Sequence, residues 1–183
     1  IHKAIPLLKD FRIGALRLWS TYRATQNTGF RDVEEFHKNG FYLMMCYGSE
    51  GFAPWPMIPK DFSAWKKALN GLATQYRGKV QIYEMLNETN IWGGRMKNPD
   101  PSKYYEMTPE VNALVIRELS KAVKAGDPDA KVAGPASCHT DIAWTSSMLA
   151  KGGAKGLDII TEHPYRQLPE LPDYEPELQT LQK

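Results

Sequence analysis

The sequence is poor in the features that mark several functional classes. Its two cysteines, Cys46 and Cys138, lie far apart and in no metal-like spacing. They argue against a disulfide scaffold or a zinc site and for two buried thiols. The four histidines, His2, His37, His139 and His163, are scattered and form no His-x-His or HExxH pair, so neither a metal nor any other cofactor is expected. No apolar run approaches the length that spans a bilayer, and nothing at the start has the character of a signal sequence. The chain opens on Ile1 without a methionine, in keeping with a processed or trimmed start. Charge of one sign is also missing: 23 Lys and Arg stand against 21 Asp and Glu, with no segment concentrating either. Nucleic acid and membrane are therefore not expected partners.

What is present points to a folded core. Hydrophobic residues make up 42% and charged residues 24%, values of a globular protein rather than a disordered one. Short β-rich runs alternate with longer segments of helical period, the pattern of βα units and a parallel sheet. The spacing predicts strands at Ile13 to Trp19, Phe41 to Tyr47, Val80 to Leu86, Lys131 to Gly134 and Leu157 to Thr161. It predicts helices at residues 2 to 10, Arg31 to Asn39, Lys60 to Arg77, Asp141 to Ala150 and Tyr174 to Lys183. Gly40 and Gly78 follow two of these helices as left-handed caps. Thr108, Pro109 and Glu110 read as N-cap, first residue and acidic first turn of a further helix ending near Gly126. Loops after strands are long and rich in aromatics and proline, as in Gly48 to Pro59 and Asn87 to Met107, whereas loops after helices are short. Such asymmetry places a site at the carboxyl ends of the strands.

The third strand ends in Tyr83-Glu84-Met85-Leu86-Asn87-Glu88-Thr89-Asn90. A glycosidic bond breaks through an oxocarbenium-like state, so the leaving oxygen needs a proton and the anomeric carbon a second carboxylate. Glu88 can supply the proton, and the adjacent Asn87 amide can hydrogen-bond the sugar 2-hydroxyl. Asn87-Glu88-Thr89 is also a glycosylation sequon, discounted because a strand end facing a barrel mouth is poorly accessible.

Here the sequence resembles the clan A glycoside hydrolases, which include β-xylosidases, endoglucanases and α-L-iduronidases. Their fourth strand ends in Asn-Glu with the Glu as acid/base, and the resemblance assigns that role to Glu88. The clan's usual proline after the pair is Thr89 here. A second match, Thr161-Glu162-His163-Pro164-Tyr165-Arg166, follows the fifth visible strand as His-x-Tyr follows the clan's strand 6, which implies that His163 and Tyr165 line the sugar site. A third match is Leu16-Arg17-Leu18-Trp19, with Arg17 in the place of the strand 2 arginine held beneath the catalytic carboxylates. Alternation puts Ala15, Arg17 and Trp19 on one face and Leu16 and Leu18 on the other. A buried arginine needs a carboxylate partner, and Glu84 is the candidate. The same alternation turns Glu162 away if His163 faces the site.

The resemblance implies an α/β fold: an incomplete (β/α)₈ TIM barrel, with five of eight strands visible and residues 1–183 forming part of one catalytic domain, since a whole barrel takes about 250 residues. It implies a retaining glycosidase with its nucleophilic Glu beyond Lys183, an inactive fragment when alone, and a secreted or periplasmic setting. A saccharide or glycoside is the expected substrate, and the remainder of the barrel the expected partner that covers the open edges. Aromatic rings for sugar stacking are sought in Trp19, Trp55 and Trp92, the last two because their loops hold few apolar residues to bury them. Arg95, Lys97 and Lys103 read as solvated loop charge rather than contacts to an acidic sugar. The alternative from another class is a non-catalytic carbohydrate-binding or scaffold barrel remnant.

Overall fold

In the computed structural model, described over residues 3–20, 31–165 and 174–181, the βα alternation becomes one five-stranded parallel sheet. The strands are β1 (Ala15–Ser20), β2 (Tyr42–Tyr47), β4 (Ile82–Met85), β6 (Lys131–Cys138) and β7 (Ile159–His163), adjacent in that order. Helices α1 (Ala4–Asp10), α2 (Arg31–Lys38), α3 (Ser63–Gln75), α4 (Pro109–Gly126), α5 (Ile142–Ala150) and α6 (Tyr174–Leu181) complete the alternation. A short antiparallel pair, β3 (Ile58–Pro59) and β5 (Tyr104–Tyr105), lies within the two long loops. The sheet is part of a (β/α)₈ barrel wall. His2, Arg166 and residues 182–183 fall outside the described residues.

The sheet's register decides which side chains share a face. Arg17 pairs with Met44, Cys46 with Glu84, Glu84 with Ala133, and Cys138 with His163. Paired residues of parallel strands point the same way, so Arg17, Cys46, Glu84 and His163 belong to one face. The opposite face carries Leu43, Met45, Tyr83, Met85 and Val132, all buried against Trp65 and Leu69 of α3 and Ile116, Leu119 and Val123 of α4. That layer is the core, while the site face leaves Tyr42 and Trp19 exposed.

Local chemistry sets the helix ends. Thr108 Oγ1 accepts from Val111 N at 3.3 Å at the start of α4, and Gly40 and Gly78 take φ of 83° and 72° after α2 and α3. Several boundaries differ from expectation. Helix α3 starts at Ser63 rather than Lys60, because residues 58–60 are extended: Ile58 and Pro59 pair with Tyr105 and Tyr104, and Lys60 N donates to Lys103 O at 2.8 Å. Strand β6 continues past Gly134 through Pro135 to Cys138, with a bulge at Ala136. Strand β7 starts at Ile159 and carries His163 itself, because a 3₁₀ turn over Gly153–Gly156 occupies the segment before it.

Helices α3 and α4 approach closely at Gly126, where an added Cβ would lie 2.6 Å from Asn70 O and 2.7 Å from Ala73 Cβ. Both obstacles are held by a helix backbone. Gly126→Ala is therefore expected to destabilise the fold by about 1–3 kcal/mol despite alanine's better helix propensity, measured as a lower urea midpoint with unchanged slope.

Candidate active site

At the carboxyl ends of the strands, two linked groups of side chains face the same side. The first is built on a buried charge. Glu84, 2% exposed, receives Arg17 Nε at 2.6 Å and Arg17 Nη2 at 2.5 Å on one carboxylate oxygen. Arg17 Nη2 also donates to Asn87 Oδ1 at 2.8 Å, which turns the amide's NH2 end away from the guanidinium. The guanidinium lies 5.8 Å from the centre of the Trp19 ring. Arg17 and Glu84 thus meet as alternation required, and Leu16 and Leu18 pack against the core from the other face.

The second group centres on Glu88. His163 Nδ1 lies 2.9 Å from Glu88 Oε1, and Tyr165 also hydrogen-bonds the carboxylate. Partial burial pushes the Glu88 carboxyl up, but the bonds from His163 and Tyr165 and the positive charges of His163 and Arg17 outweigh it and leave it below its usual value. The Tyr165 hydroxyl is pushed up by the same bond. Tyr165 stands edge-on to two imidazoles, with centroids 5.9 Å from His163 and 6.0 Å from His139. Cys138, expected to be a buried thiol like Cys46, is only half-buried; desolvation and the Glu88 charge raise its pKa.

The backbone here is unusual. Leu86 (φ 72°), Glu88 (φ 52°), Ala136 (φ 53°) and His139 (φ 60°) are left-handed although none is glycine. Such conformations cluster at functional sites because the surroundings must enforce them. Glu88 N donates to Ala136 O at 2.8 Å, and the buried Thr89 accepts from Asn112 Nδ2 of α4 at 2.5 Å.

Glu162 turns to the helix side. Its Oε1 accepts from Thr145 Oγ1 of α5 at 2.7 Å, and it hydrogen-bonds Ser137. Burial raises its pKa to about 7, against the pull of Thr145 and Ser137 and with help from Asp141.

Sequence reasoning erred at one aromatic. Trp92 is 7% exposed and belongs to the core, so its ring is not available to a sugar. Enough apolar groups reach its loop from elsewhere, Trp55 among them at 6.2 Å between ring centroids. Trp55 itself is 44% exposed and Trp19 50%. Asn90 and His139 were missed. A histidine five residues past the expected end of a strand carries no signal of its own, and an asparagine in a long loop carries even less.

A family model described as Glycoside hydrolase family 44 matches residues 56–169. No curated protein matches the chain. Among solved structures, a family 39 glycoside hydrolase from the gut symbiont Bacteroides cellulosilyticus WH2 superposes with a TM-score of 0.70 at 20% identity, covering 93% of this chain and 36% of that one. A Bacteroides uniformis β-glucuronidase gives 0.60 at 14% identity, over 97% of this chain and 20% of that one. A glucosidase from Croceicoccus marinus gives 0.55 at 17% identity, over 71% and 28%. The chain thus spans about a third or less of the length of each of these structures.

Two stability predictions follow from these contacts. Arg17→Met leaves the Glu84 carboxylate buried without its cation. A loss on the order of 2–3 kcal/mol is expected in chemical denaturation, below that of a fully buried pair because the Arg17 side chain is 34% exposed. For Glu162 the folded pKa lies above the unfolded one, so its contribution is fully present below the unfolded carboxylate value and is lost as pH rises toward about 7. Glu162→Gln is expected to flatten the stability–pH curve between about pH 5 and pH 8, read from melting temperatures across that range.

Proposed function

The chain belongs to glycoside hydrolase family 44, and from that premise we propose that it forms part of the catalytic barrel of a retaining glycosidase with Glu88 as general acid/base. The observation that carries this reading is the 2.9 Å contact between His163 Nδ1 and Glu88 Oε1. It joins the carboxyl ends of β4 and β7, beside the Arg17–Glu84 pair.

Chemistry would proceed in two displacements. A carboxylate attacks the anomeric carbon while protonated Glu88 gives its proton to the leaving oxygen. Glu88, now ionised, takes a proton from water as that water attacks and releases the nucleophile. Among the described residues, neither neighbouring carboxylate suits the nucleophile's role: Glu84 is committed to Arg17 and Glu162 faces Thr145. We therefore place the nucleophile, a Glu, outside residues 1–183, together with the strands that close the barrel over the exposed Tyr42 face. Within this chain the neighbours of Glu88 favour its ionised form, the state required of the base. A second negative charge nearby would raise its pKa, the state required of the acid.

The substrate is a saccharide or glycoside. Asn87 offers its amide to the 2-hydroxyl, His163 and Tyr165 line the sugar site, and the exposed rings of Trp19 and Trp55 provide stacking faces.

The test is leaving-group dependence in the full-length protein. Glu88→Gln is expected to slow hydrolysis of alkyl and saccharide glycosides by about 10²–10⁴-fold. Aryl glycosides with strongly acidic leaving phenols should lose far less in the first step. Equal losses on both classes reject the assignment and leave a carbohydrate-binding barrel as the reading.

A further inference from the structure

The ladder between β4 and β6 ends at the Glu84–Ala133 pair, four residues before Glu88. Beyond that point ordinary strand pairing no longer fixes the turn that carries Glu88, and the turn's backbone is left-handed at both Leu86 and Glu88. Across from it β6 bulges between Pro135 and Ser137, with Ala136 also left-handed. Neither glutamate nor alanine prefers this conformation, so other contacts must hold the two segments in register.

Two contacts continue the pairing past its end. Glu88 N donates to Ala136 O at 2.8 Å. Two residues farther on, the Asn90 side chain stands in for a strand backbone. Its Oδ1 accepts from Cys138 N at 2.8 Å, and its Nδ2 donates to Cys138 O at 2.9 Å. The same Nδ2 donates to Asp141 Oδ2 at 3.0 Å, while Asp141 Oδ1 caps α5 by accepting from Trp144 N at 3.0 Å. A single amide therefore ties the Glu88 turn to the end of β6 and to the first turn of α5. Cys138 is the register partner of His163. Whatever fixes Cys138 to the Glu88 turn also fixes how far Glu88 stands from the imidazole that orients it.

We propose that Asn90 is a positioning residue, an amide clamp that holds the Glu88 carboxylate in register with His163 by extending the β4–β6 pairing through Cys138 and Asp141. The inference rests on the acid/base reading of Glu88 and deepens it. Asn90 is assigned no contact with substrate.

The full-length protein tests it with three variants, N90A, N90D and N90D/D141N, assayed beside Glu88→Gln. Misplacing a proton donor by about 1 Å costs up to about 10²-fold in rate. N90A is expected to lower kcat on alkyl or saccharide glycosides by roughly 10- to 100-fold with KM changed less than about 3-fold, and to lose much less on aryl glycosides with acidic leaving groups. N90D sets a carboxylate against Asp141 and should be at least as slow. Adding D141N restores a donor–acceptor pair between the two positions while Cys138 N keeps its acceptor, and should recover at least about 5-fold of the loss in N90D. Because both members of that comparison carry N90D, it stays informative if N90A folds poorly. The clamp is overturned if N90A keeps kcat, if its loss is equal on both substrate classes, or if the double variant is no faster than N90D. Glu88→Gln separates the two ideas: an equal loss there rejects the acid/base reading itself, whereas the expected Glu88→Gln pattern with a silent Asn90 rejects only the clamp.

Discussion

The site depends on a carboxylate that cannot be left alone. Glu84 is almost wholly buried on the inner face of the sheet, where an unpaired charge would be prohibitively costly. Only a cation from a neighbouring element can offset that cost, and Arg17 supplies it from two strands away. Because the guanidinium is planar and carries several donors, satisfying Glu84 leaves another N–H aimed at Asn87. The ion pair thus orients the residue immediately before Glu88. One electrostatic requirement below the site becomes a geometric constraint at its surface.

A second constraint comes from the sheet itself. Side chains alternate across strands, and in-register parallel pairing extends that alternation across the whole sheet. Residues far apart in sequence are forced onto one face: Arg17 on β1, Glu84 on β4 and His163 on β7. The face opposite holds the apolar layer that binds α3 and α4. A one-residue slip in any of these strands would exchange the two sets, burying a charge in the core and exposing leucine and methionine. The core therefore selects the register that assembles the site, though its own residues do no chemistry.

This explains which features were legible in the sequence. Period-2 alternation and the strand-end positions of Asn87, Glu88 and His163 are local, so the inward face and the Arg17–Glu84 pairing could be read before any coordinates. So could the outward turn of Glu162 and the caps at Thr108, Gly40 and Gly78. Features set by distant segments were not legible. The β3–β5 pair that delays α3 needs Tyr104 and Tyr105 from another loop, and Trp92 is buried by groups its own loop lacks. Left-handed Glu88 and Ala136 run against their residue preferences, and the Asn90 contacts join positions 48 and 51 residues apart. Local rules fail at these positions, and two of them, Ala136 and Asn90, lie beside the proposed acid/base.

Three glutamates within this small region illustrate how environment, not residue type, assigns a role. Glu84 is buried beside a fixed cation and serves as an anchor. Glu162 is half-buried beside hydroxyls with only Asp141 contributing charge, and its carboxyl titrates near neutrality while fastening β7 to α5. Glu88 is partly open, and His163 and Tyr165 both bond to it, so its proton is the one that neighbours can tune without unfolding anything. A general acid/base must change its protonation state within each turnover. Glu84 is committed to Arg17, and Glu162 cannot reach the inner face without breaking the alternation of β7. Of the three, Glu88 alone combines access to the strand-end face with partners whose bonds and charge hold its carboxyl below its usual value.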